Sequence, residues 1–369
     1  MRSRIIPFLL LLMLAASVSE SASMSFKSIT DAVVARHMAE KRIPGMSVAV
    51  VHEGRVLFSE GYGEASIEFS VPAGADTVYP ISSVSRVFAA VVALKLAAAG
   101  SLNLDASISE YVDDVPADKR ALTPRHLLQH THGLDDFYHS TAYRQESGKT
   151  LEESSTDELL DWSLRQPLRS APGEQWAYGV VGYVLLGAVL ERAGGRPFEA
   201  LADQYVFEPL GIEAAYGGST TIVPARNPLL YELQDDRLTG HVVDFPQRVW
   251  PAGGLNISVD EFAKFFVALS GDGFLSASEK LDMWRQISLR NGDATSYGLG
   301  WMSYVTSQDR WVVGHEGGGA SWVIYYPDLD LAVIALSNMS GAQADSLPYE
   351  IARAGIESGL IRSPQGLGD

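Results

Sequence analysis

A chain of 369 residues, 46% apolar and 20% charged, is long enough for two intimately packed subdomains around a sizeable core. Its formal net charge of −17 argues against nucleic acid or an anionic membrane surface as a partner. The lack of any cysteine excludes disulfides, thiolate metal sites and a cysteine nucleophile.

Residues 1–22 have the pattern of a secretory signal peptide: Arg2 and Arg4, then the apolar run Ile5 to Ala16, then small residues, with cleavage expected near Ser21 to Ser23. The apolar run is short for a membrane span, so the expectation is an exported protein, periplasmic or secreted, with no stable membrane insertion after cleavage. An amphipathic helix over 26–41 places Ile29, Val33 and Met38 on one side, and Ile43-Pro44-Gly45 breaks it. Met46 to His52 and Arg55 to Tyr62 read as strands joined at Glu53-Gly54.

Ile81 to Gly100 then reads as a central helix, apolar on nearly every face, with Ser82 and Ser83 at the N-cap position and Gly100 as its stop. Arg86 breaks that pattern. It lies in the first turn, where the helix dipole disfavours a cation, and it shares a face with Ser83. After an acidic loop over 101–120, a helix is expected to start at Thr123-Pro124 and stop at Gly133. Further helices are expected at 156–166, from beyond Tyr178 to Gly194-Gly195, and at 198–208, with 213–250 irregular. Ala252 to Leu255 is a glycine turn, followed by helices at 258–269 and near 277–288. Tyr297 to Val305, Trp311 to His315, Ser321 to Tyr326 and Leu331 to Ser337 are strand-like; a helix at 341–357 and a loose tail close the chain.

Strands at both ends and helices between them predict an α+β fold, an antiparallel sheet flanked by helices with a mostly helical insert. The sheet subdomain is assigned to 24–80 and 251–360, the insert to 81–250, and the tail to 361–369.

Ser83 to Arg86 resembles the S-x-x-K nucleophile motif of the serine β-lactamase and penicillin-binding protein superfamily, in the branch of class C β-lactamases, DD-peptidases and related esterases. Arg86 stands where that motif has Lys. The resemblance covers about residues 28–340. It also rests on Ile43-Pro44-Gly45 with Gly61-Tyr62-Gly63, on Arg125-His126-Leu127-Leu128 through His130-Thr131 to Gly133-Leu134, on Ala252-Gly253-Gly254-Leu255 with Asp260, and on Tyr297-Gly298-Leu299-Gly300-Trp301. It implies a β-lactamase-like fold.

The family's Tyr-x-Asn motif is represented by Tyr178-Gly179-Val180, with Val180 replacing the Asn that would offer substrate an amide. Its Lys-Thr-Gly or His-x-Gly strand is represented by His315-Glu316-Gly317. The resemblance implies that Ser83 is acylated and that the backbone N–H groups of Ser83 and Gly318 form an oxyanion hole, with Gly317 letting substrate backbone approach. His315 is expected to donate to a bound ligand or to polarise Tyr178. Arg cannot give up its proton, so Arg86 is expected to act as fixed charge favouring an ionised Tyr178 as proton acceptor.

His126, His130 and His132 have metal-like spacing, but the first two are structural in the resembling segment, and no metal or other cofactor is expected. HExxH, G-x-S-x-G and phosphate-loop patterns are absent. Two functions follow. One is a serine hydrolase acting on esters or amides. The other is a silenced pseudoenzyme binding peptidoglycan-like or acyl ligands. Either would meet a small acyl, peptide or β-lactam-like molecule, and the sequence sets no oligomeric state.

Overall fold

The computed structural model describes residues 26–137, 141–150, 153–217, 226–242, 247–342 and 346–362. The expected signal at 1–22 and the tail from 363 onward lie outside them.

Helix α1 (26–41) leads into β1 (Gly45–His52) and β2 (Arg55–Ser66). Glu53 and Gly54 between them both have positive φ, 49° and 68°, the backbone of a type I′ turn. Strands β3 (Val71–Pro72) and β4 (Tyr79–Pro80) and one 3₁₀ turn, Ser82–Ser85, precede α2 (Arg86–Ala98). The helical region holds α3 (Pro124–Leu128), α4 (Thr141–Ser147), α5 (Thr156–Arg165), α6 (Val181–Gly194) and α7 (Phe198–Ala202). A π turn, Asp203–Phe207, then runs into α8 (Glu208–Leu210). There follow β5 (Ala215–Tyr216), β6 (Leu230–Gln234), β7 (Arg237–His241), β8 (Leu255–Ile257), α9 (Val259–Ser270) and α10 (Ala277–Trp284). The chain returns through β9 (Met302–Val305), β10 (Trp311–Gly317), β11 (Ser321–Tyr326) and β12 (Leu331–Ser337) to α11 (Leu347–Glu357).

A seven-stranded sheet in the order β3-β2-β1-β12-β11-β10-β9 unites the two ends of the chain. Its closing pair is β1 with β12, antiparallel from Met46 opposite Ser337 to His52 opposite Leu331. Both strands are buried on both faces, and their side chains divide with period two. Ala49, Val51, Ile334 and Leu336 face the core shared with α2, α6 and α9, whereas Met46, Val48, Val333 and Ala335 face Phe26 and Val34 of α1 and Leu347 and Ile351 of α11. The fold is therefore α+β, an antiparallel sheet flanked by helices. Its helical part has no separate core, because one cluster runs from the sheet face through α2 into α6 and α5.

Helix α2 lies at the centre, as an all-apolar surface requires: Arg86 to Leu94 and Leu96 are buried. Phe88 on it meets the rings of Phe207, Phe262 and Phe265 with centroids 5.0–5.6 Å apart.

Several expectations need correction. The helix beginning at Thr123 ends at Leu128, not Gly133, because the chain turns left-handed at His130, φ 58°. The stretch 213–250 is not all irregular. β5 joins β4 and β8 in a small sheet, and β6 and β7 form a hairpin whose turn residues, Asp235 and Asp236, both have positive φ. Residues 218–225 and 243–246 of that stretch lie outside the described residues. The last helix starts at Leu347 rather than 341, and residues 297–301 precede β9 rather than joining it. Among the described residues no helix is long and apolar enough to cross a membrane.

Candidate active site

Ser83 lies in the 3₁₀ turn that enters α2, and the backbone there is strained. Ser82, a residue with a β-carbon, has φ 47°. Neither Ser82 nor Ser83 caps the helix, contrary to expectation: no side-chain cap is made at Ile81 or Ser85, and the Ser85 hydroxyl instead accepts the Leu255 N–H at 3.1 Å.

The end of β10 packs directly on this turn. A β-carbon on Gly317 would fall 2.1 Å from the Ile81 carbonyl oxygen, and one on Gly318 would fall 3.2 Å from Ser82 Oγ, so glycines at these positions let the two backbones touch. Among the described residues nothing accepts the backbone N–H of Ser83 or of Gly318. The end of β10 thus brings Gly318 against Ser82, the residue before Ser83.

Arg86 is 1% exposed, and no carboxylate among the described residues pairs with it. Its Nη1 donates to the Tyr178 hydroxyl and its Nη2 to the Gly179 carbonyl at 3.2 Å. The guanidinium carbon lies 4.6 Å from the Tyr178 ring centre and 5.1 Å from that of Tyr183. A desolvated cation is thus held by oxygens and π faces alone.

The Ser83 side chain lies near enough to the Tyr178 oxygen to favour its ionised form, while 38% of Tyr178 remains exposed. Burial of the hydroxyl raises its pKa above the ordinary value, with a smaller push from Glu316, and outweighs the opposing pull of Arg86 and Ser83. Tyr178 is therefore a neutral phenol at rest, which corrects the expectation that Arg86 leaves it ionised.

His315 is buried and both its ring nitrogens are engaged. Nδ1 donates to the Glu316 carbonyl oxygen at 2.6 Å, which leaves Nε2 to accept from the Tyr297 hydroxyl at 2.9 Å. Burial, then the Arg86 charge, push its pKa down to about 3. His315 thus supports Tyr297 rather than polarising Tyr178, whose ring centre is 6.1 Å from its own.

The sequence marked Tyr297 only as a landmark and His130 only as a structural histidine, and gave no signal for Asp136. Asp136 accepts the Val180 N–H at 2.9 Å and lies so close to Gly179 that a β-carbon there would meet its carboxylate at 2.4 Å, so it anchors the segment after Tyr178. His130 is enclosed by Tyr178, Tyr183 and Tyr297, with ring centres 4.6–5.2 Å away. Val180 is the N-cap residue of α6 and packs against the helical core.

The three histidines of the 126–132 segment do separate work. His126 Nδ1 accepts the Thr123 N–H, His132 Nδ1 accepts the Leu134 N–H, and His130 fills the aromatic box. Among the described residues no group of His, Asp and Glu is placed to hold a metal ion.

These burials set an acid limit on stability. His315, His132 and His130 all have folded pKa values below 6.5: about 3, about 4 and well below, each chiefly through burial. The unfolded chain takes up these protons near pH 6.5 and the folded chain does not. The stabilisation is complete above about pH 6.5 and is lost as pH falls toward the folded values, at about 1.4 kcal/mol per pH unit for each histidine. Chemical denaturation between pH 7 and 5 is expected to show this decline, and His132→Asn is expected to remove about a quarter to a third of its slope, His126 being lowered by burial as well. A flat stability profile over that range would contradict it.

A family model described as Beta-lactamase matches residues 30–356. Penicillin-binding protein 4* of Bacillus subtilis is 24% identical over 318 residues, 82% of this chain and 69% of the relative. Protein flp of Staphylococcus aureus is 23% identical over 86% of this chain, which spans 64% of that protein, so about a third of the length of these relatives is unmatched. Esterase EstB of Burkholderia gladioli is 33% identical over 215 residues, 54% of this chain and 55% of the esterase. Among solved structures, "EstCE1, a hydrolase with promiscuous acyltransferase activity" superposes with a TM-score of 0.78 at 21% identity, over 90% of this chain and 99% of the other. The octameric penicillin-binding protein homologue from Pyrococcus abyssi superposes with 0.75 at 24% identity, over 89% and 77%.

Proposed function

The chain belongs to the beta-lactamase family, and from that premise we propose that it is a serine hydrolase that takes acyl groups from esters or amides onto Ser83 Oγ. The observation that carries this reading is a Ser83 side chain near enough to Tyr178 to favour the ionised phenol, with the N–H groups of Ser83 and Gly318 unengaged among the described residues.

Ser83 Oγ attacks the acyl carbon while its proton passes to the ionised form of the nearby Tyr178. Arg86 stays charged throughout, and His315 is committed to Tyr297. The negative oxygen of the tetrahedral intermediate is held by the two N–H groups. Tyr178 returns the proton to the leaving alcohol or amine, and water then releases the acyl group by the same exchange. The ionised phenol is a minor form at neutral pH, so turnover is slow there. Activated esters, whose leaving groups need little help from an acid, suit the site better than amides. Trp176, 41% exposed with its ring centre 6.3 Å from that of Tyr178, supports an apolar acyl or alcohol group at the mouth.

The second reading, a cleft that binds peptidoglycan-like or acyl ligands without turnover, is favoured by the raised pKa of Tyr178 alongside an arginine that cannot act as base. Intact-mass measurement after exposure to p-nitrophenyl esters, a fluorophosphonate and penicillin separates the two. A single adduct on the peptide containing Ser83 is expected with the ester and the fluorophosphonate. An unmodified mass throughout would leave the binding reading.

A further inference from the structure

A cavity of about 470 Å³ opens beside the segment that leads to Tyr178. Arg125, His126, Gln129, Thr131, Arg285 and Arg290 line it, and among the described residues no acidic one does. In a chain of net charge −17 that is a marked local reversal. Arg125 is neutralised by Asp105 and Asp282, at 2.7 and 3.0 Å, and Arg285 shares Asp282. Arg290 has no ion pair among the described residues.

The neutral donors point the same way. His126 Nδ1 accepts the Thr123 N–H at the start of α3, so in the neutral ring Nε2 carries the hydrogen. Thr131 is 1% exposed and its hydroxyl has no partner among the described residues. Gly173 keeps the centre open. A β-carbon there would lie 3.4 Å from His126 Nε2 and 3.7 Å from Arg290 Nε, so two N–H donors flank one vacant point. The φ of Gly173, 79°, favours glycine at that position as well.

We propose that this cavity binds a small oxyanion, the carboxylate or phosphate end of a ligand, between Arg290 and His126 with Arg285 at its rim. The backbone N–H of Arg290 donates to the Gly173 carbonyl, and that of Gly173 to the Thr131 carbonyl, so an occupant braces the turn leading to Tyr178. The cavity does not include Ser83, and the site stands whether or not Ser83 is acylated.

Calorimetric titration of the full chain with sodium phosphate and with sodium acetate, against chloride at matched ionic strength, tests it. Saturable binding of at least one is expected, and the stronger names the oxyanion type. Arg290→Met is expected to weaken binding by about tenfold or more, the loss of a charge-assisted contact, and Thr131→Val by a smaller factor. Arg237→Met, an equal change of charge in the β6–β7 hairpin, is expected to leave binding unchanged. Absence of saturable binding by either anion, or an equal loss in Arg290→Met and Arg237→Met, overturns the proposal.

Discussion

Replacing Arg86 with lysine is expected to raise the rate of Ser83 acylation by on the order of 10²–10⁴, the range that a well-placed general base contributes. The environment is already suited to a neutral amine. Position 86 is 1% exposed, no carboxylate pairs with it among the described residues, and the adjacent His315 is uncharged. Such burial lowers a lysine pKa by up to several units, toward neutrality. A guanidinium in the same place stays charged. The substitution has a structural cost, because an ammonium does not reproduce the fork that binds both the Tyr178 hydroxyl and the Gly179 carbonyl, nor the planar contact with Tyr183. A loss of about 1–3 kcal/mol is expected, so burst kinetics with a p-nitrophenyl ester belong beside a denaturation curve. A fall in acylation at preserved stability would mean that Arg86 has acquired a catalytic part of its own. An unchanged rate would mean that proton transfer does not limit the step.

The sequence was most readable where one physical term dominates. The all-apolar surface of α2 can be satisfied only at the centre of the molecule, and strands at both ends of the chain with helices between them pointed to the single sheet that β1 and β12 close. It was least readable where the outcome depends on which of several groups meets which. His315 was expected to donate to a bound ligand or to polarise Tyr178, yet three-dimensional packing gives it to Tyr297, eighteen residues earlier in the chain. Asp136 gave no motif signal, because its work is to accept one backbone N–H and to fit against a residue lacking a β-carbon. The β6–β7 hairpin was missed because its turn is Asp-Asp, a pair that enters the left-handed region less readily than Asn-Gly. The charge on Arg86 argued for an ionised Tyr178. The structure adds the opposing effect of burial, and burial is the larger.

That balance yields the other large effect. If the ionised phenol is the proton acceptor, kcat/KM for ester hydrolysis rises with pH as the basic form fills, tenfold per unit while Tyr178 is mostly protonated. Its pKa lies above the ordinary value near 10, so the rise is expected to continue past pH 10 rather than level off in the neutral range. His315, neutral down to about pH 3, is expected to add no inflection near 6.5. Tyr178→Phe keeps the ring against His130 and removes only the hydroxyl. It is expected to lower kcat/KM by about 10²–10⁴ and to abolish the alkaline limb. The two readouts guard each other. A rate loss with the limb intact would make Tyr178 a positioning residue and move the proton to another base. A limb centred between pH 6 and 7 would require a histidine that the packing here does not leave free. In Arg86→Lys the same limb is expected to move to lower pH, because an amine that ionises nearer neutrality then carries the proton that the phenol carries now.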